Sequence, residues 1–216
     1  MEELYRKITR HVPGVIGDRE RHKSAVCIPL IKEGDEVRIL FEVRSGKILT
    51  QPGDICLPGG GMEQGETPEE TAIRETCEEL EIGPDKIHMI GPIDVFREGN
   101  VIIYPFAAEL SDYRGTFSKD EVSRTFCVPL SFFMNTEPEV YRTPYRPVFG
   151  DDFPFDRIYG GRNYRWRRMQ KTTLFYQYGE YTIWGFTARV IRAFTEILRE
   201  EAVSTDPMEE RDTDLS

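Results

Sequence analysis

Histidine is scarce in this chain. His11, His22 and His88 are the three in 216 residues, and their spacing fits no zinc site. Cysteine is scarce too. Cys27, Cys56, Cys77 and Cys127 stand far apart in sequence and form no C-x-x-C pair. They read as reduced thiols, not as a disulfide framework. No run of about 18 apolar residues occurs, so no membrane-spanning helix is expected. Positive charge is in deficit: 28 Lys and Arg against 38 Asp and Glu leave a net charge of −10. That balance argues against a general nucleic-acid binder. It leaves room for nucleotide-like small molecules, whose phosphates a metal can screen. The opening stretch MEELYRKITRHVPG has no apolar segment of the secretory-signal kind, and the closing DTDLS is not a peroxisomal address, so a cytoplasmic protein is expected.

What is present suits one well-buried core. Apolar residues make up 39% and aromatics 12% of the chain, ordinary values for a globular domain. A single domain over residues 1–202 is expected, followed by an acidic tail over 203–216 that reads as disordered. Residues 2–10 read as a short amphipathic helix with Leu4 and Ile8 on one side, followed by the polar loop GDRERH. SAVCIPLI (24–31) and VRILFEV (37–43) read as a strand pair joined by KEGDE. IHMIGPIDVF (87–96) reads as a strand broken at Gly91-Pro92. REGN is a turn, and VIIYPFAAEL (101–110) is the strongest strand signal. SRTFCVPLSFF reads as a strand entering a short helix. Residues 141–171 read as irregular and KTTLFYQYGEYTIWG as a strand. Thr187 to Ala202 reads as a helix with Val190, Ile191, Phe194, Ile197 and Leu198 in a core stripe.

The stretch from Leu57 to Gly83, LPGGGMEQGETPEETAIRETCEELEIG, carries the chemistry. A glycine-rich turn leads into a helix. Thr67 suits its N-cap, Pro68 its first turn, and Glu70 completes a capping box. Gly83 followed by Pro84 closes it, with the glycine taking a left-handed cap. At helical spacing Ile73, Cys77 and Leu80 share one face, and Glu75, Glu78 and Glu79 the opposite one. Three stacked carboxylates repel by about 0.2–0.5 kcal/mol per pair on an open helix. A cation should offset this: Arg74, four residues before Glu78, or a divalent metal, which takes carboxylate oxygens.

Gly60, Glu66, Arg74, Glu75, Glu78 and Glu79 fall in the order G-x5-E-x7-R-E-x2-E-E. This resembles the box of the Nudix hydrolase family. Thr76 stands where a bulky apolar residue is usual, and Glu81 replaces the second glycine of the pattern. The resemblance implies an α/β fold, a Nudix-type α/β/α sandwich with a mixed β-sheet. It also implies a metal set of Gly60, Glu75, Glu78 and Glu79 for Mg2+ or Mn2+, with Arg74 holding Glu78. Glu121, in a turn before a strand, is the candidate for a late-loop carboxylate that assists them, so the catalytic set is Arg74, Glu75, Glu78 and Glu121.

Upstream, LFEVRSGKILTQPGDICLPGG (40–60) resembles the second signature of the coenzyme A pyrophosphatases in that family. Arg44, Ser45, Gly53, Pro58, Gly59 and Gly60 match. Leu49 stands where a basic residue is usual, Leu57 replaces Phe, and Phe41 and Glu42 also depart. Residues 178–191 resemble the segment before the last helix of the same enzymes. Substrate contacts are therefore expected at Arg44, Ser45, Lys47, Gly53 and Gly59. The implied reaction is metal-dependent hydrolysis of the pyrophosphate of coenzyme A or acyl-CoA, giving adenosine 3′,5′-bisphosphate and the 4′-phosphopantetheine part. Alternatives are a Nudix pyrophosphatase for another nucleoside diphosphate such as ADP-ribose, and a non-catalytic nucleotide-binding protein on the same fold. The family also implies a homodimer. Residues 141–168 hold seven Arg interleaved with Tyr and Trp, read as a partner or dimer surface with nucleotide stacking as the alternative.

Overall fold

The computed structural model describes residues 2–12, 17 and 21–200. The expected acidic tail lies outside the described residues, as does part of the GDRERH loop. A helix α1 (Glu2–Thr9) leads the chain, with Leu4 and Ile8 exposed. Strands β1 (His22–Glu33) and β2 (Glu36–Arg44) then form an antiparallel pair. Both carry five consecutive buried residues, the mark of strands covered on both faces. Two short strands, β3 (Ile55–Cys56) and β4 (Gly59–Gly61), add to β2 and β1. The helix α2 (Pro68–Leu80) follows. Next come β5 (Ile87–Pro92), β6 (Phe96–Glu98) and β7 (Val101–Leu110). Strand β8 (Val122–Pro129) runs directly into the short helix α3 (Leu130–Asn135).

The main sheet is mixed. Its path is β3-β2-β1-β7-β5, with β4 on β1, β6 on β7 and β8 on β2. The β1–β7 pair is parallel, from His22 opposite Val101 to Leu30 opposite Glu109, and the other pairings are antiparallel. Because strand side chains alternate, the two faces fill separate cores. Cys27, Leu40 and Ala108 face α2 with Leu80. Val26, Ile28, Ile39, Phe41 and Val128 face the other way.

On that second face lies a smaller antiparallel sheet of β9 (Glu139–Tyr145), β10 (Met169–Tyr178) and β11 (Tyr181–Trp184). The helix α4 (Gly185–Arg199) packs with it through Ala188, Val190, Ile191 and Phe194. Tyr176 and Phe133 meet edge to face at 5.1 Å inside this core.

Four expectations need correction. Residues 141–171 are irregular only between β9 and β10; their ends pair as a ribbon. Both sides of β9 are exposed, so no apolar alternation announces it. Ile197 and Leu198 do not join the α4 core and are exposed; the last turn of α4 is instead tied to α3 through Arg199, which donates to the Phe133 and Met134 carbonyls. The break in the 87–96 strand falls between β5 and β6, while Gly91-Pro92 stays paired across a bulge. Finally, the left-handed residue that ends α2 is Glu81, φ 52°. Gly83 is extended and starts the 3-10 turn Pro84–Lys86.

Candidate active site

The N-terminus of α2 is capped as its sequence predicts. The Thr67 N–H donates to Glu70 Oε2 at 2.8 Å, and the Glu70 N–H donates to Thr67 Oγ1 at 3.3 Å. This fixes the start of the helix and so the angular position of every later carboxylate. Thr76, the apolar departure, is fully buried. Its hydroxyl donates to the Ala72 carbonyl at 2.6 Å, which leaves its methyl free to pack.

The carboxylate face divides into two environments. Glu78 is exposed, whereas Glu79 is 5% exposed. Ile73 and Cys77 are only partly buried, and the deeply buried face holds Ala72, Thr76, Glu79 and Leu80. Glu79 is therefore a core-edge carboxylate. The Gly59 N–H donates to its Oε2 at 2.8 Å. Burial pushes its acid up to about 7 against that hydrogen bond, and the nearby Glu75 and Glu121 carboxylates add to the rise.

Arg74 organises the exposed half. Its Nε donates to Glu66 Oε1 at 2.6 Å and its Nη2 to Glu66 Oε2 at 3.1 Å. Its Nη1 reaches Glu75 at 2.9 Å and Glu78 at 3.2 Å, and its Nη2 also reaches the Gly61 carbonyl at 3.1 Å. The expectation that Arg74 holds Glu78 is thus enlarged. The two-pronged partner is Glu66, which also accepts from the Thr71 hydroxyl at 2.7 Å and the Glu63 N–H at 2.9 Å. These donors, Arg74 foremost, hold Glu66 down at about 2. Burial raises Glu75, with Arg74 opposing.

The glycine turn has a steric reason. A Cβ on Gly60 would run into the Glu75 carboxylate, and one on Gly59 (φ +152°) into the β1 backbone at Ala25 and Val26. Backbone, β1 and acidic side chain thus meet with no space for a side chain on the turn.

The loop from Arg44 to Gly53 folds back on the end of β2. The Arg44 N–H donates to Asp54 O at 2.9 Å, the Gly53 N–H to Arg44 O at 3.1 Å, and Arg44 Nε to Thr50 O at 3.3 Å. Gly53 is left-handed at φ +81°. Ser45 is buried, and its N–H donates to the Glu121 carbonyl at 2.8 Å. Glu121 and Ser45 are therefore brought together, and the Glu121 charge acts on Glu75 and Glu79. Arg44 supplies the opposing positive charge at Glu79. Lys47 points to Asp120 at 3.1 Å, in the open.

One residue that the sequence reading named only as a departure from the signature is part of the site. Glu42, in the middle of β2, is fully buried, and its Oε1 has no hydrogen-bond partner among the described residues. Burial, then the facing Glu79 carboxyl, pushes its acid well above the usual range. The signal was partial: a glutamate inside the apolar run ILFEV is forced inward only where the strand is covered on both faces, as β2 is.

Divalent metal fits this donor set chemically. Glu75, Glu78, Glu79 and the Gly60 carbonyl are all hard oxygen donors. The Glu75 carboxylate packs against the Gly60 backbone. Among the described residues no three acidic, His or Cys side chains already converge as a finished cage. Glu75 and Glu78 are instead shared with Arg74.

The NUDIX domain family model matches residues 20–145. The chain is 30% identical over 145 residues to the peroxisomal coenzyme A diphosphatase NUDT7 of Mus musculus, an alignment covering 64% of this chain and 61% of that protein. It is 36% identical over 118 residues to the peroxisomal coenzyme A diphosphatase ndx-8 of Caenorhabditis elegans, covering 51% and 50%. It is 26% identical over 181 residues to the mitochondrial Nudix hydrolase 15 of Arabidopsis thaliana, covering 81% and 58%. The chain thus spans between half and two thirds of the length of these relatives. With more than half of its residues matched by the family model and Glu75, Glu78 and Glu79 of the box in place on α2, the chain belongs to the Nudix hydrolase family.

Proposed function

We propose that the protein hydrolyses the pyrophosphate bond of coenzyme A or an acyl-CoA, releasing adenosine 3′,5′-bisphosphate and the 4′-phosphopantetheine part. The observation that carries this reading is the loop from Arg44 to Gly53. It bears Arg44, Ser45 and Gly53 of the coenzyme A signature, its Arg44 charge acts on Glu79 of α2, and Gly59 of the same signature follows on β4 with its N–H on Glu79. Two relatives named coenzyme A diphosphatases support it. Glu75, Glu78, Glu79 and the Gly60 carbonyl would hold Mg2+ or Mn2+. Bound there, the cation supplies Lewis-acid polarisation of the phosphate oxygens. Glu66 fixes Arg74, and Arg74 in turn aims Glu75 and Glu78. Arg44 offers a guanidinium for phosphate oxygens. Glu121, placed by its backbone bond to Ser45, stands within electrostatic reach of the metal carboxylates and is the assisting acid or base.

Hydrolysis of ADP-ribose is the second reading, favoured by the departures Leu49 and Leu57; Leu49 is fully exposed and brings no positive charge to the loop. The deciding measurement is turnover of coenzyme A and ADP-ribose by the purified chain with Mn2+. Coenzyme A is expected to be the better substrate; no cleavage of it, or a clear preference for ADP-ribose, overturns the reading. A single domain over 1–202 and a homodimer are proposed with it. The cytoplasmic expectation stands beside relatives named peroxisomal and mitochondrial, and no helix among the described residues is long and apolar enough to cross a membrane.

A further inference from the structure

Trp184 has no part in the chemistry above, yet it is 42% exposed at the junction of β11 and α4. It stacks on Phe175 with ring centroids 5.7 Å apart and planes within 11°. A concavity lies on each side of this pair. One, of about 340 Å3, is walled by Gly53, Asp54 and Ile55 and by Arg124 and Tyr181. The other, of about 400 Å3, reaches across β10 to Tyr141 and Thr143 on β9. Both are bounded by Phe175, Thr182 and Trp184, so they form two ends of one groove. Its near end is the backbone that Arg44 holds: the Arg44 N–H donates to Asp54 O, and the Gly53 N–H donates to Arg44 O. The groove therefore leads away from the phosphate-binding loop along the second sheet.

Charge decides what fits it. Asp54, Glu180 and Glu139 stand along the groove against one guanidinium, Arg124. Arg124 already lies 3.8 Å from Glu180 and 5.1 Å above the Tyr181 ring. A phosphorylated nucleoside would meet net negative charge here. An uncharged chain of methylenes and amides would not. The faces of Phe175, Trp184 and Tyr141 offer apolar surface for methylenes. The hydroxyls of Thr143 and Thr173 make no hydrogen bond among the described residues and are available to amides.

We propose that this groove, centred on Trp184, receives the uncharged pantetheine arm of the substrate and the acyl chain carried on its thiol. The inference rests on the coenzyme A reading and deepens it: the groove sets which thioester is preferred. The test measures kcat and KM of the full chain for free coenzyme A, acetyl-CoA and dodecanoyl-CoA, beside Trp184→Ala and Tyr141→Ala. The unaltered protein is expected to favour the dodecanoyl form. Trp184→Ala should lower its kcat/KM relative to free coenzyme A by about tenfold, through KM. Tyr141→Ala, on an exposed edge strand whose loss does not open the core, should penalise the dodecanoyl form and spare the acetyl form. Unchanged chain-length dependence in the folded Tyr141 variant, or an equal loss on all three substrates, overturns the groove assignment while leaving the coenzyme A reading intact. Cleavage of ADP-ribose with none of the coenzyme A forms touched overturns both.

Discussion

Glu79 and Glu78 are adjacent in sequence and opposite in circumstance. One is an exposed charge near Arg74; the other is buried, held by the Gly59 N–H and faced by Glu42. A carboxylate in such a place is costly without a counter-charge, and a divalent ion is the counter-charge this donor set suits. Glu79→Gln is therefore expected to keep the fold, because the amide oxygen can still accept from Gly59, and to lower turnover by about 100-fold or more. Circular dichroism beside a Mn2+-dependent assay checks both parts; full activity would remove Glu79 from the metal set. Glu66→Gln makes a different claim. It takes the charge from the two-pronged partner of Arg74, so the guanidinium is free to bind Glu75 and Glu78 more tightly. Weaker metal binding and a fall of about 10–100-fold in kcat/KM are expected, read by titrating activity against Mn2+; an unshifted metal titration would contradict the role given to Glu66. Sequence spacing placed Glu75, Glu78 and Glu79 on the right helix. It could not separate Glu79 from Glu78, because burial of a helix face depends on what packs there, and here that is β4 and the main sheet. Nor did it assign a role to Glu42, which matters only once β2 is known to be covered on both sides.

The two ends of α2 make opposite use of local chemistry. Its start obeys sequence rules: Thr67→Ala should cost about 1 kcal/mol by removing the side-chain half of the capping box, the hydroxyl that accepts from the Glu70 N–H. Its end does not. Glu81 takes the left-handed conformation that the neighbouring Gly83 was expected to supply. A side chain there costs about 1–2 kcal/mol relative to glycine. Glu81→Gly is thus expected to stabilise the protein by about 1 kcal/mol, raising Tm by about 2–4 °C. A lower Tm on calorimetry would show that the Glu81 side chain has an offsetting role. The same contrast governs the strands. β1, β2 and β7 were legible because burial on two faces leaves long, mainly apolar runs. The outer halves of β9 and β10 were not, since a ribbon exposed on both sides carries polar, aromatic and basic residues without period. Only the partner strand reveals them.

Acid sensitivity is a property of the molecule as a whole. Glu66 is held at about 2 against an ordinary 4.5, and Glu70 and Asp112 are also lowered, by the Thr67 cap and by Lys86 respectively. Groups depressed in the folded state contribute stability above their unfolded values and lose it as pH falls. Stability is expected to decline between about pH 4.5 and pH 2, and Glu66→Gln to flatten that decline. Thermal melts across this range decide it; parallel curves for the two proteins would remove Glu66 as a source.

The parallel pairing of β1 with β7 also bears on how the chain is made. The partner of Leu30 is Glu109, so β1 leaves the ribosome well before the strand that completes it. At about 5–20 residues per second the interval is on the order of ten seconds. During it α2 has emerged with only the β1–β2 hairpin and the glycine turn to rest on, and one edge of β1 is open. Nascent chains stalled before residue 101 should be cut readily by protease within α2, and chains extended past Leu110 should not.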